Sequence, residues 1–146
     1  MRRVLVVNGP NLDKLGTRQP EIYGSTTLAE LEKLIAGWAE GLGLDAECFQ
    51  SNDEDAIVAK VAKASGDGVA GIVINPAALS HFSHPLRDAL AATGLPIVEV
   101  HISNIHAREP FRRLSLVSGV AKGVIAGLGV GGYRMALEAL AGIVRP

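Results

Sequence analysis

The chain has 146 residues, 48% of them hydrophobic, and fourteen basic against fifteen acidic residues leave a net charge of −1. A chain of this length can bury one ordinary core, so we predict a single domain over residues 1–146. The balanced charge argues against a nucleic-acid or membrane-surface partner, and no apolar run approaches the roughly twenty residues of a membrane span. The only cysteine, Cys48, has no disulfide partner within the chain, which favours a reducing, cytoplasmic compartment.

Five short apolar runs alternate with helical patterns along the chain. This alternation is typical of an α/β fold in which a parallel sheet is covered by helices on both faces. With five strands, the commonest arrangement is the doubly wound, flavodoxin-like order 2-1-3-4-5. The predicted strands cover residues 3–7, 44–50, 69–74, 96–101 and 119–126.

The first long helix has clear start and stop signals. Thr27 and Glu30 form a capping-box pattern, and the glycines at 41 and 43 end the helix. One apolar stripe is predicted to face the sheet: Leu28, Leu31, Leu34, Ile35 and Trp38. The further helical segments are one that begins after Asn52 or Asp53, one that follows Ser83 and ends at Gly94, a short turn at 109–115 and a final helix at 133–144.

A long connection, residues 8–24, separates the first strand from the first long helix. Such connections usually take about two to six residues, and longer ones tend to bind ligands or cover a site. This one carries an amide at Asn11, a cation at Arg18 and a phenol at Tyr23. A phenol ordinarily has a pKa near 10, so it is a weak base at neutral pH unless a cation stabilises the phenolate. We therefore predict that Arg18 activates Tyr23 as a base, on a lid over the site.

Polar side chains also follow the third and fourth predicted strands. Asn75 ends the third strand and leads to His81, while Glu99, His101 and Ser103 alternate along the end of the fourth. In doubly wound sheets ligands bind beyond the carboxyl ends of the strands, so these groups are predicted to share one crevice with the long connection. A carboxylate beside an imidazole orients the ring and favours the imidazolium, which makes His101 a candidate general acid. The alternative is a histidine that only completes a hydrogen-bond network at a strand end.

Charged residues close to this crevice allow two interpretations. Arg108 and Arg112 follow the fourth strand and supply local positive charge, which suits a carboxylate-bearing ligand. Both arginines are also compatible with solvated helix positions or with ion pairs at an interface. Asp88 lies within the third predicted helix, where a solvated carboxylate is its ordinary role.

Two other patterns are set aside. Residues 127–132 match the spacing of a glycine-rich dinucleotide fingerprint, but only fourteen residues follow them, without a further strand. Close packing of the last helix on the sheet explains these glycines better. Lys122, on the fifth predicted strand, could form a Schiff base, but the strand order places it far from the crevice and favours a structural role. No metal-ligand spacing or phosphate-binding loop pattern is present, so no metal is predicted.

Taken together, these motifs resemble type II 3-dehydroquinate dehydratase along nearly the whole chain. The resemblance rests on Asn8-Gly9-Pro10-Asn11-Leu12, Gly16, Arg18, Pro20-Glu21-Ile22-Tyr23-Gly24, Glu99-Val100-His101-Ile102-Ser103-Asn104, Ala107-Arg108-Glu109, Phe111-Arg112-Arg113 and Gly127-Leu128-Gly129. It implies a single catalytic domain with the flavodoxin-like fold, a homo-oligomer expected to be a dodecamer built from trimers, and no cofactor. The implied reaction is the dehydration of 3-dehydroquinate to 3-dehydroshikimate by anti elimination through an enolate, a step shared by the shikimate pathway of aromatic amino acid biosynthesis and by quinate breakdown.

The resemblance implies a role in proton transfer for five residues. Tyr23 would remove the C2 proton, with Arg18 stabilising its phenolate. As the enolate forms, Asn11 would stabilise the oxyanion through a bound water. His101, held by Glu99, would then protonate the departing C1 hydroxyl.

The same resemblance implies roles in substrate binding. The backbone amides of Ile102 and Ser103 would hold the substrate carboxylate. The remaining implied contacts are those of Asn75, His81 and Arg112 with the substrate hydroxyls, of Arg108 with the lid, and of Asp88 with the site of a neighbouring subunit.

Four positions depart from the family pattern. Gln19 stands in place of glutamate, Ser80 and Phe82 in place of threonine, and Leu114 in place of histidine. None of them is a predicted proton-transfer residue, so they bear on lid charge and local packing rather than on the type of reaction.

The alternative class is a non-catalytic flavodoxin-like binding module, such as a receiver or a flavin carrier. A receiver needs an acidic cluster at the ends of the first and third strands, where this chain has Asn8, Asn11 and Asn75. A flavin carrier would be yellow as purified, which is a simple observation that separates it from the dehydratase.

Overall fold

A parallel sheet of five strands forms the centre of the computed structural model, which describes residues 1–17 and 19–144. The strands are β1 Arg2–Asn8, β2 Leu44–Gln50, β3 Val69–Asn75, β4 Ile97–His101 and β5 Gly123–Ala126. Their order is β2-β1-β3-β4-β5, and every neighbouring pair is parallel. The flavodoxin-like order is therefore confirmed, and the strand order reverses between β1 and β3.

Helices connect successive strands. They are α1 Pro20–Tyr23, α2 Leu28–Gly41, α3 Glu54–Lys63, α4 His84–Thr93, α5 Pro110–Arg113 and α6 Gly131–Ile143. Short 3₁₀ turns at Leu12–Lys14, Ala77–His81, Ile105–Ala107 and Ser118–Val120 complete the connections. Among the helices of the described ranges, none is both long enough and apolar enough to cross a membrane.

The sheet buries side chains on both faces because strand residues alternate between them. Val4 and Val6 of β1 belong to the core on the side of α2 and α6, whereas Leu5 and Val7 belong to the core on the side of α3 and α4. β4 follows the same rule, since Val98 and Val100 share the first core. Two hydrophobic layers therefore enclose the sheet and hold its carboxyl edge in place.

The predicted caps of α2 and α4 are confirmed. The Glu30 N–H donates to Thr27 Oγ1 at 3.2 Å, and the Thr27 N–H donates to Glu30 Oε1 at 3.1 Å. At the start of α4, the Leu86 N–H donates to Ser83 Oγ at 3.1 Å, and the helix ends at Gly94 with φ +67°. Local signals alone thus set the ends of both helices.

The predicted apolar stripe of α2 was wrong at one position. The buried line of the helix consists of Leu31, Ile35 and Ala39, whereas Leu34 is 40% exposed. Successive helical residues lie about 100° apart around the axis, so Leu34 falls on the flank of the line centred on Ile35. The helix therefore contacts the sheet through a narrower face than the sequence pattern predicted.

The fifth strand begins later than predicted, at Gly123 rather than at 119. The chain instead turns through Ser118–Val120 and buries Val117 beside the sheet. Lys122 consequently precedes the strand and is exposed, so its predicted place on a buried strand was wrong. Its backbone N–H donates to the Ile97 carbonyl at 2.7 Å, which places Lys122 at the amino end of β4.

Close packing explains one glycine of the 127–132 motif, as predicted. A Cβ on Gly132 would lie 3.3 Å from side-chain carbons of both Ile125 and Val100. These distances are shorter than ordinary van der Waals contacts, so a side chain at position 132 would push α6 away from β4 and β5 or force the two neighbouring side chains to move.

Candidate active site

The polar ends of three strands meet at the carboxyl edge of the sheet. Asn8 of β1 is in register with Asn75 of β3, and Ile74 of β3 is in register with Glu99 of β4. His101 is the last residue of β4. The predicted convergence of groups distant in sequence is therefore a consequence of strand register.

A buried histidine–carboxylate pair occupies the end of β4. The Nε2 of His101 is hydrogen bonded to a carboxylate oxygen of Glu99, which is fully buried, and His101 itself is only 5% exposed. Ser115 Oγ and Ser118 Oγ also donate to the Glu99 carboxylate, at 2.7 and 2.6 Å. All three donors hold the carboxylate in a single orientation.

These hydrogen bonds decide the charge of Glu99. Burial by itself raises the pKa of the carboxyl, but the hydrogen bonds from His101, Ser118 and Ser115 outweigh it and hold the pKa below its ordinary value. Glu99 is therefore an acceptor at neutral pH. Because Glu99 occupies Nε2 of His101, Nδ1 is the ring nitrogen that this pair leaves for another partner.

The phenol of the long connection is bonded to an arginine. Arg108 Nη1 donates to Tyr23 Oη at 3.0 Å, across 85 positions of sequence. Arg113 Nε donates to the Arg108 carbonyl at 2.7 Å and so supports the segment that carries this cation. Arg18, the predicted partner of Tyr23, lies outside the described residues. Within them, it is Arg108 that places a cation on the phenol oxygen.

A cavity of about 450 Å³ lies beside this pair at the carboxyl edge. Tyr23, Ile102, Ser103 and Arg108 are among the residues that line it. A second cavity, of about 390 Å³, lies at the opposite, amino-terminal edge and includes Lys122 in its lining. The first cavity therefore includes the part of the predicted site that contains Tyr23, Arg108, Ile102 and Ser103, whereas Lys122 lies at the opposite edge of the sheet.

Two glycines hold the segment whose amides were predicted to bind a carboxylate. The Gly127 N–H donates to the His101 carbonyl at 3.2 Å, and the Gly129 N–H donates to the Ile102 carbonyl at 3.0 Å. Gly127 has φ +88°, and a Cβ there would lie 3.0 Å from the Asn104 side chain. The glycine turn after β5 thus fixes the chain that leads from His101 to Ser103.

His81 and Arg112 both lie near one aromatic ring, that of Phe111. The Phe111 ring is 6.5 Å from the His81 ring, centroid to centroid, and the Arg112 guanidinium lies 5.2 Å from the Phe111 centroid. His81 Nδ1 bonds to the Leu114 carbonyl at 2.8 Å, and since a carbonyl only accepts, Nδ1 carries the proton. Leu114 makes this contact through its backbone, so a leucine side chain in place of histidine leaves it intact.

Asn11 adopts a left-handed conformation, with φ +70°, and is exposed. Its N–H donates to Asn52 Oδ1 at 2.9 Å, and Gln50 Nε2 donates to the same oxygen at 3.0 Å. Leu12 and Leu15 are buried in the core on the α2 side. The two buried leucines and the hydrogen bonds that involve Gln50 and Asn52 therefore anchor the first half of the long connection.

Asp88 stands apart from these groups. It is exposed on α4, where Arg87 Nη2 lies 2.9 Å from its carboxylate. Within the chain its role is that of a solvated ion pair.

Sequence reasoning missed three residues that contact the predicted site residues. Ser115 and Ser118 were not predicted to contact Glu99, because nothing in their spacing indicates which side chains a turn will meet. Tyr133 matched the pattern of a core helix residue, yet its hydroxyl joins Asn8 and Asn75.

Among residues 1–17 and 19–144, no three histidine, cysteine, aspartate or glutamate side chains are grouped as ligands of one metal ion.

The fold and this edge define a doubly wound α/β enzyme of the flavodoxin-like class, with a candidate acid on the sheet and a candidate base on a loop. The family described as "Dehydroquinase class II" matches residues 2–141 of the chain. The chain therefore belongs to the class II dehydroquinase family, which sets aside the receiver and flavin-carrier alternatives.

Individual relatives match over almost their whole length. The 3-dehydroquinate dehydratase of Methylococcus capsulatus is 53% identical over 139 residues, which cover 95% of this chain and 94% of that protein. The catabolic 3-dehydroquinase 1 of Aspergillus terreus is 54% identical over 140 residues, covering 96% and 91%. The crystal structure of the type II dehydroquinase from Propionibacterium acnes is 46% identical, with a TM-score of 0.93 and 97% of each chain covered.

Proposed function

We propose that this chain dehydrates 3-dehydroquinate to 3-dehydroshikimate by an anti elimination, with Tyr23 as the base and His101 as the acid. The observation that carries the assignment is the pairing of each group with a charged partner, Tyr23 with Arg108 at 3.0 Å and His101 with buried Glu99. One partner favours an anion and the other a cation. An elimination that first removes a proton and then delivers one requires one group of each kind.

The first step removes a proton from C2. The phenolate of Tyr23 takes it, and the electron pair of the C–H bond moves to the C3 oxygen as an enolate. A cation about 4 Å from an anion, at an effective dielectric near 20, contributes about 4 kcal/mol before solvent losses. Arg108 supplies such a cation, and Arg18 is the proposed second one.

In the second step the enolate collapses, the C1–O bond breaks and the C1–C2 double bond forms. His101 delivers the proton from Nδ1, so the leaving group departs as water. Glu99 accepts from Nε2 and stabilises the imidazolium until delivery. The Tyr23 proton then passes to solvent and His101 regains one, which balances the loss of one water molecule.

The remaining groups bind the substrate and the developing charge. Asn11 stabilises the enolate oxygen through a bound water, since a donor aimed at new charge favours the transition state. The amides of Ile102 and Ser103 bind the carboxylate. Asn75, His81 and Arg112 contact the hydroxyls. The supporting observations are that Asn75 ends β3 beside the end of β1, and that His81 and Arg112 both lie near the Phe111 ring.

The chain works in this proposal as one catalytic domain, over residues 1–146, in the cytoplasm. It assembles as a dodecamer built from trimers, in which Asp88 reaches the site of a neighbouring subunit. The exposure of Asp88 supports this role. Light scattering on the purified protein should give a mass twelve times the 15.2 kDa of one chain. A particle with the mass of one chain would contradict the assembly.

Direct turnover tests the function. Purified protein mixed with 3-dehydroquinate should produce a conjugated enone, seen as rising ultraviolet absorbance, and a chelator should leave the rate unchanged. Heat-denatured protein is the control. If folded protein produces no absorbance change, the proposed function is wrong.

A further inference from the structure

A chain of hydrogen bonds crosses the core beneath the proposed site. Tyr133 Oη donates to Asn8 Oδ1 at 2.6 Å, and Asn75 Nδ2 donates to Tyr133 Oη at 2.9 Å. Asn8 and Tyr133 are fully buried and Asn75 is 4% exposed. We call these three residues the Asn8–Tyr133–Asn75 chain. It links the ends of β1 and β3 through a residue of α6.

The direction of every bond in this chain is determined. The Ala77 N–H donates to Asn75 Oδ1 at 3.1 Å, so the carboxamide of Asn75 cannot be turned over without placing two donors together. Its Nδ2 must therefore donate to Tyr133. Burial raises the pKa of Tyr133 above its ordinary value, so its hydroxyl keeps the single proton, which goes to Asn8.

An unpaired atom shows that this arrangement has a cost. Nδ2 of Asn8 is buried and has no hydrogen-bond partner among the described residues. A buried donor without an acceptor destabilises the folded state. Asn8 nevertheless supplies the acceptor for the buried hydroxyl of Tyr133, which an apolar residue at this position could not do.

We propose that Tyr133 and Asn8 are positioning residues that aim the second N–H of the Asn75 carboxamide at a hydroxyl of bound substrate. This inference rests on the proposed function, in which Asn75 contacts 3-dehydroquinate. The Nδ2 of Asn75 carries two hydrogens, and Tyr133 accepts only one. With its oxygen held by Ala77 and one hydrogen held by Tyr133, the plane of the carboxamide and the direction of the other hydrogen are both fixed.

The predicted kinetic effect is specific. A hydrogen bond made equally to bound substrate and to the transition state lowers KM without changing kcat. Tyr133→Phe removes one oxygen and leaves the ring in the core. It should raise KM for 3-dehydroquinate about tenfold, which corresponds to one ordinary hydrogen bond, and leave kcat within about twofold of the wild type. An unchanged KM would overturn the inference.

Two further variants separate positioning from general packing. Leu137→Val weakens the same helix without touching the chain of hydrogen bonds, and it should lower thermal stability while leaving KM unchanged. Adding Tyr133→Phe to Asn75→Ala should raise KM no further, because the group that Tyr133 positions is already gone. If Leu137→Val raises KM as Tyr133→Phe does, or if the double variant multiplies the two effects, Tyr133 has no positioning role.

A crystal structure of the Tyr133→Phe variant provides a readout without turnover. The carboxamide of Asn75 should rotate away from its wild-type orientation, and a carboxamide that stays in place would overturn the inference. The two proposals fail in different ways. Active wild type with an unchanged variant KM overturns the positioning role alone, whereas inactive wild type overturns the proposed function and with it the substrate contact.

Discussion

The two halves of the site are built on different supports. The proposed acid, His101, ends a buried strand, and its partner Glu99 receives hydrogen bonds from two serines. The proposed base, Tyr23, lies in a four-residue helix on the long connection, and its phenol oxygen is held by Arg108, a residue of another loop. The folded sheet and the two serines therefore hold His101 and Glu99 in place without substrate, whereas the position of Tyr23 depends on the contact between two loops.

Removal of the base tests the loop half most severely. Tyr23→Phe leaves the ring and deletes the oxygen that is proposed to take the C2 proton. We expect kcat to fall about 10³-fold, within the range for general acid–base groups, while calorimetry shows 3-dehydroshikimate binding within about twofold of the wild type. Turnover that survives would mean that the base is wrongly assigned.

Neutralising the carboxylate tests the sheet half. Glu99→Gln keeps the shape of the side chain but removes the charge that stabilises the His101 imidazolium, so kcat should fall about 10²-fold. Glu138→Gln, which changes an exposed glutamate on α6, is the matched control and should leave kcat unchanged. Equal kcat values for the two variants would show that the charge of Glu99 has no part in delivery.

Loss of the loop cation should have a smaller effect, because Arg18 is a second proposed cation on the same phenol. Arg108→Gln should lower kcat about tenfold, because one of the two proposed cations that stabilise the phenolate is then missing. Arg134→Gln, an exposed arginine on α6, serves as the control. A kcat equal to that of the wild type would be inconsistent with Arg108 acting on Tyr23.

The smallest effect concerns the hydrogen bonds behind the acid. The pKa of Glu99 is lower in the folded protein than in the unfolded chain. Ionised Glu99 therefore stabilises the fold at any pH above its ordinary, unfolded-state pKa, and this stabilisation is lost as the pH falls through the folded-state pKa. Ser118→Ala removes one of the donors. It should cost about 1.5–3 kcal/mol at neutral pH, and the acid-side loss of stability should begin at a higher pH than in the wild type.

Urea unfolding followed across the acid range measures this change, with Ser25→Ala as an exposed serine control. Identical acid-side profiles for Ser118→Ala and the wild type would show that the hydroxyl does not hold Glu99 ionised.

The scaffold could be predicted because its signals are local. Buried parallel strands appear as short Val- and Ile-rich runs, and the Thr27 and Ser83 caps satisfy backbone groups a few residues away. From these elements the strand order followed, and with it the edge at which Asn75 and His101 meet. Leu34 and the start of β5 were predicted wrongly because burial on a helix flank and the path of a turn depend on tertiary contacts.

The partners of the proposed catalytic groups could not be predicted in the same way. The Arg108–Tyr23 bond joins two loops, and the bonds from Ser115 and Ser118 to Glu99 depend on a turn whose side chains have no periodic pattern. The polar role of Tyr133 could not be predicted for another reason. Its ring satisfies the hydrophobic pattern of α6, so only the position of its hydroxyl shows a polar role.

Hydrogen exchange at C2 of 3-dehydroquinate in deuterated water tests most directly whether Tyr23 and His101 divide the two proton transfers between them. Nuclear magnetic resonance can follow both C2 hydrogens while dehydration is slow. His101→Ala, which retains the base, should exchange one C2 hydrogen faster than it forms product, and Tyr23→Phe should not exchange it above the enzyme-free rate. Exchange that persists in Tyr23→Phe and disappears in His101→Ala would contradict the account.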